Sequence, residues 1–325
     1  MARLLLGLLL LASLASGSAA RAGSSLVLYT SQPDQDAART VAGFRKRNPE
    51  IEVDIFRSGT TEVMAKLQAE FAAGQPKPDV VFIADAVTME RLKADGRLEP
   101  YAAADVSQLP PGSYDPQKTY FGTKLITTGI MINTAAPMRP KSWNDLLRPE
   151  AKNQVILPSP LYSGAAAIHM GALGADRRIG PAFYDALAKN GAIAARGNGA
   201  VMTAVAGGQR FYGVIVEFMA LNAKAKGSPV DFIFPEEGVS AVTEPVAMLK
   251  TAPNPAAARA FIDFVLSKEG QALAASQGYL PARRDVDPPT GFPKVDEVEL
   301  MPVDVPDVIA HDEANKRRFA DLFGG

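Results

Sequence analysis

The stretch LVLYTSQPDQDAARTVAGFRKRNPEIEVDIF, residues 26–56, reads as a strand, a helix and a second strand in that order. Leu26-Val27-Leu28-Tyr29-Thr30 is an unbroken apolar run of strand length, the pattern of a buried strand. From Asp36 to Arg47 the apolar residues fall at helical spacing through Ala37, Val41 and Phe44, and Asn48-Pro49 stops the helix. Ile51 to Phe56 then alternates Ile, Val, Ile and Phe with Glu and Asp, as a half-buried strand does. The alternation continues outward. Thr61 to Ala73 is helical, with Val63, Met64, Leu67 and Phe71 on one face; Val80 to Ile83 is a third strand and Thr88 to Ala94 a third helix. Strand–helix–strand–helix–strand implies a parallel sheet covered by helices. In such sheets ligands lie at the carboxyl ends of the strands, near the topological switch point.

A second α/β set follows a loop rich in Pro, Gly and Tyr from Leu109 to Thr119. Strands are expected at Ile126–Asn133, Val155–Leu157, Tyr212–Val216, Asp231–Phe234 and Val246–Leu249. Helices are expected at Gly164–Gly174, Pro181–Asn190, Ala200–Ala206, Phe218–Ala225, Pro255–Leu266 and Lys268–Ser276. Two α/β halves without a separate linker point to lobes joined by crossing strands, with Lys124–Met131 and Val239–Val246 as the expected hinge. The division expected on this basis is residues 24–125 plus 246–282 for one lobe, and 126–245 plus 283–325 for the other. The tail from Arg283 is expected to pack back on the second lobe.

Residues 1–22 carry a short basic start at Arg3, a leucine run from Leu4 to Leu11 and the small-residue pattern Ala20-Arg21-Ala22. That is the form of a secretory signal peptide, too short to span a bilayer. Setting it aside removes Arg3 and Arg21, leaving 32 Lys and Arg against 35 Asp and Glu, a net charge of −3. No basic excess points to nucleic acid or to a membrane surface. The absence of Cys excludes disulfides, thiolate metal sites and a lipoprotein anchor, so an exported chain of this length must rely on its core for stability. The expected compartment is the periplasm.

The usual signatures of enzymes are missing. His169 and His311 are far apart and lack partners at ligand spacing; the first is expected near the core and the second at the surface. There is no H-E-x-x-H, P-loop or nucleophile elbow. Gly197-Asn198-Gly199 opens a helix without the third glycine of a dinucleotide fingerprint. A catalytic serine would lack an evident base. The expectation is therefore a binding protein with no cofactor and no resident metal.

Several loops after strands carry hydroxyl residues and glycine: Thr30-Ser31, Ser58-Gly59-Thr60-Thr61 and Ser163-Gly164-Ala165. Helix N-termini expose unpaired N–H groups and suit anions, although each such motif alone is an ordinary cap. Asp85 after the third strand and Glu217 after Val216 are candidate carboxylates, with an N-cap or first-turn role as the structural alternative. Thr128, in the first expected crossing strand, completes this set of candidates.

Leu28-Tyr29-Thr30-Ser31-Gln32, Pro78-Asp79-Val80-Val81-Phe82, Lys141-Ser142-Trp143-Asn144-Asp145-Leu146, Ser163-Gly164-Ala165 and the run from Ala258 to Gln271 occur in an order that resembles ferric-iron-binding and related periplasmic proteins of ABC transporters. The resemblance covers residues 25–285. It implies a two-lobed α/β periplasmic-binding-protein fold of type II, with hinge-linked lobes closing over a ligand. It also implies a membrane permease as partner and a chain acting as a monomer. Its iron binders place a histidine after the first strand, where this chain has Pro33, and a tyrosine pair where it has Phe218 and Met219. Phe and Met offer no hard oxygen for Fe(III). The family's anion turn matches Ser163-Gly164-Ala165, completed by Asn198, and its acidic position matches Asp85. With Glu217, these residues imply a zwitterion carrying a phosphonate and an ammonium, best exemplified by 2-aminoethylphosphonate. Ferric iron, a sugar or glycerol phosphate and a polyamine remain as alternatives.

Overall fold

The computed structural model describes residues 24–110, 112–292 and 297–324; the expected signal peptide lies outside the described residues. The chain runs β1 (Ser24–Thr30), α1 (Asp34–Arg47), β2 (Ile51–Arg57), α2 (Thr60–Ala72), β3 (Val80–Phe82), α3 (Ala86–Ala94), β4 (Phe121–Gly122) and β5 (Lys124–Asn133). It continues through β6 (Val155–Pro158), α4 (Gly164–Ala175), α5 (Phe183–Lys189), β7 (Ile193–Ala195), α6 (Asn198–Ala206), β8 (Tyr212–Val216), α7 (Glu217–Ala225) and β9 (Val230–Ile233). Last come β10 (Ser240–Val242), β11 (Pro245–Met248), α8 (Pro255–Leu266), α9 (Lys268–Ser276), β12 (Leu280–Pro281) and α10 (Val305–Phe323).

One lobe is built on the sheet β2-β1-β3-β11-β4. β1 pairs in parallel with β2 and β3, whereas β11 runs antiparallel to β3. The unbroken apolar character of β1 follows from its place between neighbours with both faces covered. Leu26 and Leu28 pack with Phe44, Phe82 and Phe261 on one side, while Tyr29 packs with Val63, Leu67 and Ile83 on the other. The other lobe holds β10-β5-β8-β6-β7, with β9 and β12 also paired to β5. Here too residues alternate between two cores: Ile130, Val214 and Leu157 face Trp143, and Met131, Ile215 and Ile156 face Val201.

Local chemistry fixes the helix ends. α1 has Asp34 and Asp36 in its first turn and Arg45, Lys46 and Arg47 in its last, matching the helix dipole. Ser267 caps α9 by accepting from the Gly270 N–H. The buried Asp79 accepts from the N–H groups of Val27 and Asn254 at 2.8 and 2.5 Å, tying β1 to the start of α8.

The chain leaves the first lobe along β5 and returns through β10, Thr243, Glu244 and β11. Glu244 sits at φ 36°, where a side chain costs about 1–3 kcal/mol. Its carboxylate pairs with Lys124 Nζ at 2.5 Å, and both side chains are almost wholly buried. The Lys124 ammonium lies 3.9 Å from the Tyr279 ring centroid and 5.1 Å from that of Phe82. Two crossing segments are thus joined by one charge pair enclosed by aromatic rings.

The C-terminal tail departs from the sequence reading by forming a 19-residue helix. Asp304 caps it by accepting from the Asp307 N–H, Pro306 occupies its first turn, and Val308 and Phe319 are buried against the second lobe. From there α10 reaches the first lobe, where Arg91 on α3 meets Asp312 at 3.2 Å and the Ile309 carbonyl at 3.0 Å.

Phe261 is wholly buried and packs edge-on against Phe44 and Phe82. Phe261→Ala is expected to cost about 3–5 kcal/mol, seen as a lower urea midpoint. A loss below about 1 kcal/mol would contradict this account of the first core.

Candidate functional site

A cleft of about 340 Å³ lies between the lobes. The first lobe supplies Ser31, Asp34, Arg57, Gly59 and Thr60; the second supplies Tyr162, Ser163, Gly164, Arg196 and Asn198. The crossing region adds Ile126, Glu244 and Tyr279. The lobes meet directly across it. Arg57 donates to the Tyr162 hydroxyl at 3.1 Å, and Arg196 pairs with Glu62 at 2.8 Å. The Arg196 guanidinium also stacks on the Tyr162 ring at 4.4 Å. Gly59 is there because nothing larger fits: a Cβ on it would fall 2.4 Å from the Tyr162 carbonyl oxygen. This is a closed arrangement.

Among the helices that start at this cleft are α2, α4 and α6. Gly59-Thr60 opens α2, Ser163-Gly164-Ala165 opens α4, and Gly197-Asn198-Gly199 opens α6. The Ser163 hydroxyl accepts from the Ala166 N–H at 3.3 Å and from Asn198 Nδ2 at 3.3 Å. Asn198 Oδ1 in turn accepts from the Val216 N–H at 3.2 Å, so one side chain locks α6 to both α4 and β8. The N–H groups of Gly164, Ala165, Asn198 and Gly199 have no hydrogen-bond partner among the described residues. Helix dipoles and free donors make this wall favourable for an anion; Arg57 and Arg196 stand beside it, paired with Asp34 and Glu62.

Of the residues expected from sequence, Ser31, Thr60, Ser163, Gly164, Ala165 and Asn198 line the cleft. Thr30 is buried beside it, donating to the Phe82 carbonyl at 2.7 Å. Ser58 bonds Glu62, and Thr128 is buried within β5 opposite Ser240 and Val216. The two carboxylates do not join the cleft. Asp85 caps α3, accepting from the N–H and hydroxyl of Thr88, and faces a separate cavity of about 290 Å³ shared with Arg91, Asp312 and Lys316. Burial raises its carboxyl pKa, opposed by the Thr88 bonds. Glu217 is wholly buried at the start of α7, and its Oε2 accepts from the Thr127 N–H at 2.6 Å. A strand's end did identify the neighbourhood, but both acids serve their own helices and crossing strand.

Other residues of the cleft escaped the sequence reading. Arg57 ends β2 and Arg196 follows β7, positions that gain meaning only when the lobes meet. Among the tyrosines, Tyr162 and Tyr279 line the cleft. Tyr29 instead donates to Glu70, and Tyr212 to the Met138 carbonyl. Phe218 and Met219 reach the cleft as apolar surface, with Phe218 packed 4.2 Å from the Tyr279 ring. His169 is buried against Trp143 with Nδ1 2.9 Å from Ser240 Oγ; burial pushes it down to about 3, so it stays neutral. His311 is exposed beside Asp307. Among the described residues, no three His, Cys, Asp or Glu side chains gather as a metal site.

Burial pushes the Glu217 carboxyl up to about 8, against the backbone bond from Thr127. The folded state therefore holds a proton that the unfolded chain releases near its ordinary value of 4.5, so stability falls as pH rises from about 5 to 8. Glu217→Gln keeps an acceptor for Thr127 and is expected to flatten that fall, by an amount on the order of a few kcal/mol. Urea midpoints at pH 5, 6.5 and 8 check this. Parallel losses in the two proteins would contradict it.

Residues 75–304 match the family model described as bacterial extracellular solute-binding protein. The chain is 28% identical over 293 residues to an uncharacterised protein of Haemophilus influenzae, covering 83% of this chain and 81% of the relative. It is 27% identical over 307 residues to an Fe(3+)-binding periplasmic protein of Serratia marcescens, covering 87% and 88%. Its fold is similar to that of the periplasmic binding protein AfuA of Actinobacillus pleuropneumoniae, solved with exogenous fructose-6-phosphate bound. The TM-score there is 0.84 at 21% identity, with 92% of this chain and 98% of that one covered. With its two α/β lobes, crossing strands and interlobe cleft, the chain belongs to the bacterial extracellular solute-binding protein family.

Proposed function

We propose that this chain is the periplasmic solute-binding component of an ABC importer and that its ligand is a small organic phosphate or phosphonate. The supporting observation is the wall formed by the starts of α4 and α6. Four N–H groups without partners among the described residues lie there, bordered by Ser163, Asn198, Arg57 and Arg196. A tetrahedral dianion offers acceptors in several directions and suits such a wall. Binding consists of capture, closure and release to a permease, with no covalent step. A ligand favours the closed state only through contacts it gains there. Arg57 and Gly59 from one lobe and Ser163 and Asn198 from the other provide such contacts.

The donor set argues against iron. Fe(III) requires hard anionic oxygens, and the position expected for a tyrosine pair holds Phe218 and Met219. The Tyr279 hydroxyl is already donated to Asp36 at 2.7 Å, and burial raises its pKa well above the ordinary value. The ammonium of 2-aminoethylphosphonate would not meet Asp85 or Glu217, which lie outside the cleft. The carboxylates available to it are Asp34 and Glu244. A sugar phosphate is served by the same wall and the same acceptors.

A calorimetric panel tests this reading with inorganic phosphate, 2-aminoethylphosphonate, glycerol phosphate, glucose 6-phosphate, spermidine and Fe(III). Binding of an organic phosphate or phosphonate, weakened about 10–100-fold by Arg57→Ala, is the expected result. Response to spermidine or Fe(III) alone would overturn it. Gly59→Ala is a second check. Its methyl meets the Tyr162 carbonyl, so closure should be blocked, Kd should rise at least about tenfold, and ligand should no longer compact the protein in X-ray scattering. Unaltered affinity would show that this contact is not part of the bound state.

A further inference from the structure

Glu244 combines features that packing alone does not require. It is a charged residue held at φ 36°, in the short turn between β10 and β11, where glycine would sit without strain. It is 2% exposed, yet it lines the floor of the cleft. Its Oε2 takes the whole of its internal pairing, 2.5 Å from Lys124 Nζ and 3.5 Å from Gln32 Nε2. Its Oε1 accepts no hydrogen bond from any described residue and is not sealed from solvent. The backbone is anchored as well, since the Glu244 carbonyl accepts from the Thr123 hydroxyl at 2.9 Å. The carboxylate is therefore fixed at both ends with one oxygen left toward the cleft.

A carboxylate cannot be the seat of a phosphate, and here it faces the same enclosed volume as the helix N-termini that attract one. We propose that Glu244 is a specificity-determining residue, whose Oε1 accepts a hydrogen bond from a hydroxyl or ammonium group on the part of the ligand that is not phosphate. This rests on the organic phosphate or phosphonate reading and narrows it. The preferred ligand carries a donor as well as the anion, and a bare alkyl phosphonate leaves the Oε1 of Glu244 without a partner. Lys124 acts through Glu244 as a positioning residue. Its ammonium, enclosed by Tyr279 and Phe82, holds the carboxylate in place and links ligand recognition to both crossing segments. A hydroxyl and an ammonium present the same donor chemistry, and the experiment separates them.

Calorimetry on the mature chain would compare methylphosphonate, which has no donor beyond the anion, with 2-aminoethylphosphonate and glucose 6-phosphate. The wild type is expected to prefer at least one donor-bearing ligand over methylphosphonate by about tenfold or more. Whichever is preferred identifies the donor. In Glu244→Gln that ratio should fall below about threefold. Because Glu244→Gln leaves the Lys124 charge buried without its partner, Lys124→Met/Glu244→Gln is measured beside it, and the ratio should collapse there too. Equal weakening for methylphosphonate and the donor-bearing ligands would reduce Glu244 to a hinge residue and overturn the proposal. A ratio that survives both variants would do the same. Failure of the wild type to bind any of the three would instead remove the phosphate reading beneath it.

Discussion

The charge pair between Lys124 and Glu244 stands where the two lobes are joined, and much of the molecule is arranged around it. Burying two ions is costly, and breaking such a pair by removing one partner leaves a lone charge out of water. The protein meets that cost by enclosing the ammonium between the Tyr279 and Phe82 rings and adding Gln32 to the carboxylate. Tyr279 is held by its bond to Asp36 in α1, and Lys124 begins the strand on which the second sheet is assembled. One buried interaction therefore fixes the relation among α1, the crossing strands and the floor of the cleft.

Above that floor the lobes present complementary chemistry. The second lobe brings two helix N-termini locked together by Asn198, and the first brings Arg57 and the glycine that lets the Tyr162 backbone approach. The Arg196–Glu62 pair is largely solvated, so it guides approach more than it stabilises closure. On the far side, α10 carries Asp312 to Arg91, giving the lobes a second meeting point away from the ligand cleft. Closure thus aligns charges on two sides of the hinge, and a ligand shifts the balance toward it only through the contacts it gains on closing.

Much of the fold was legible because it depends on local periodicity. The strand–helix alternation from Leu26 to Ala94 needs only neighbouring residues to declare itself, and α8 and α9 are found at the bounds the sequence implies. The tail was less legible, since several prolines and acids precede Asp304 and mask a helix whose apolar residues Val308 and Phe319 stand far apart. The cleft was legible where a motif is local, as at Ser163-Gly164-Ala165. It was not where the function of a residue arises from a distant partner: Arg57 meets Tyr162 across 105 positions, and Glu244 meets Gln32 across 212. Asp85 and Glu217 illustrate the converse. A carboxylate at a strand's carboxyl end is equally the first-turn acid of the next helix, and in both cases the helix or the crossing strand takes it.

The proposed function depends on the starts of α4 and α6 holding the ligand's phosphate through backbone N–H groups. Amide chemical shifts measured during titration of the labelled protein with glucose 6-phosphate and 2-aminoethylphosphonate address it most directly. With at least one of them, the amides of Gly164, Ala165, Asn198 and Gly199 are expected to move downfield together, and by more than those elsewhere in either lobe. Saturable binding that leaves these four amides in place and shifts another cluster would contradict it.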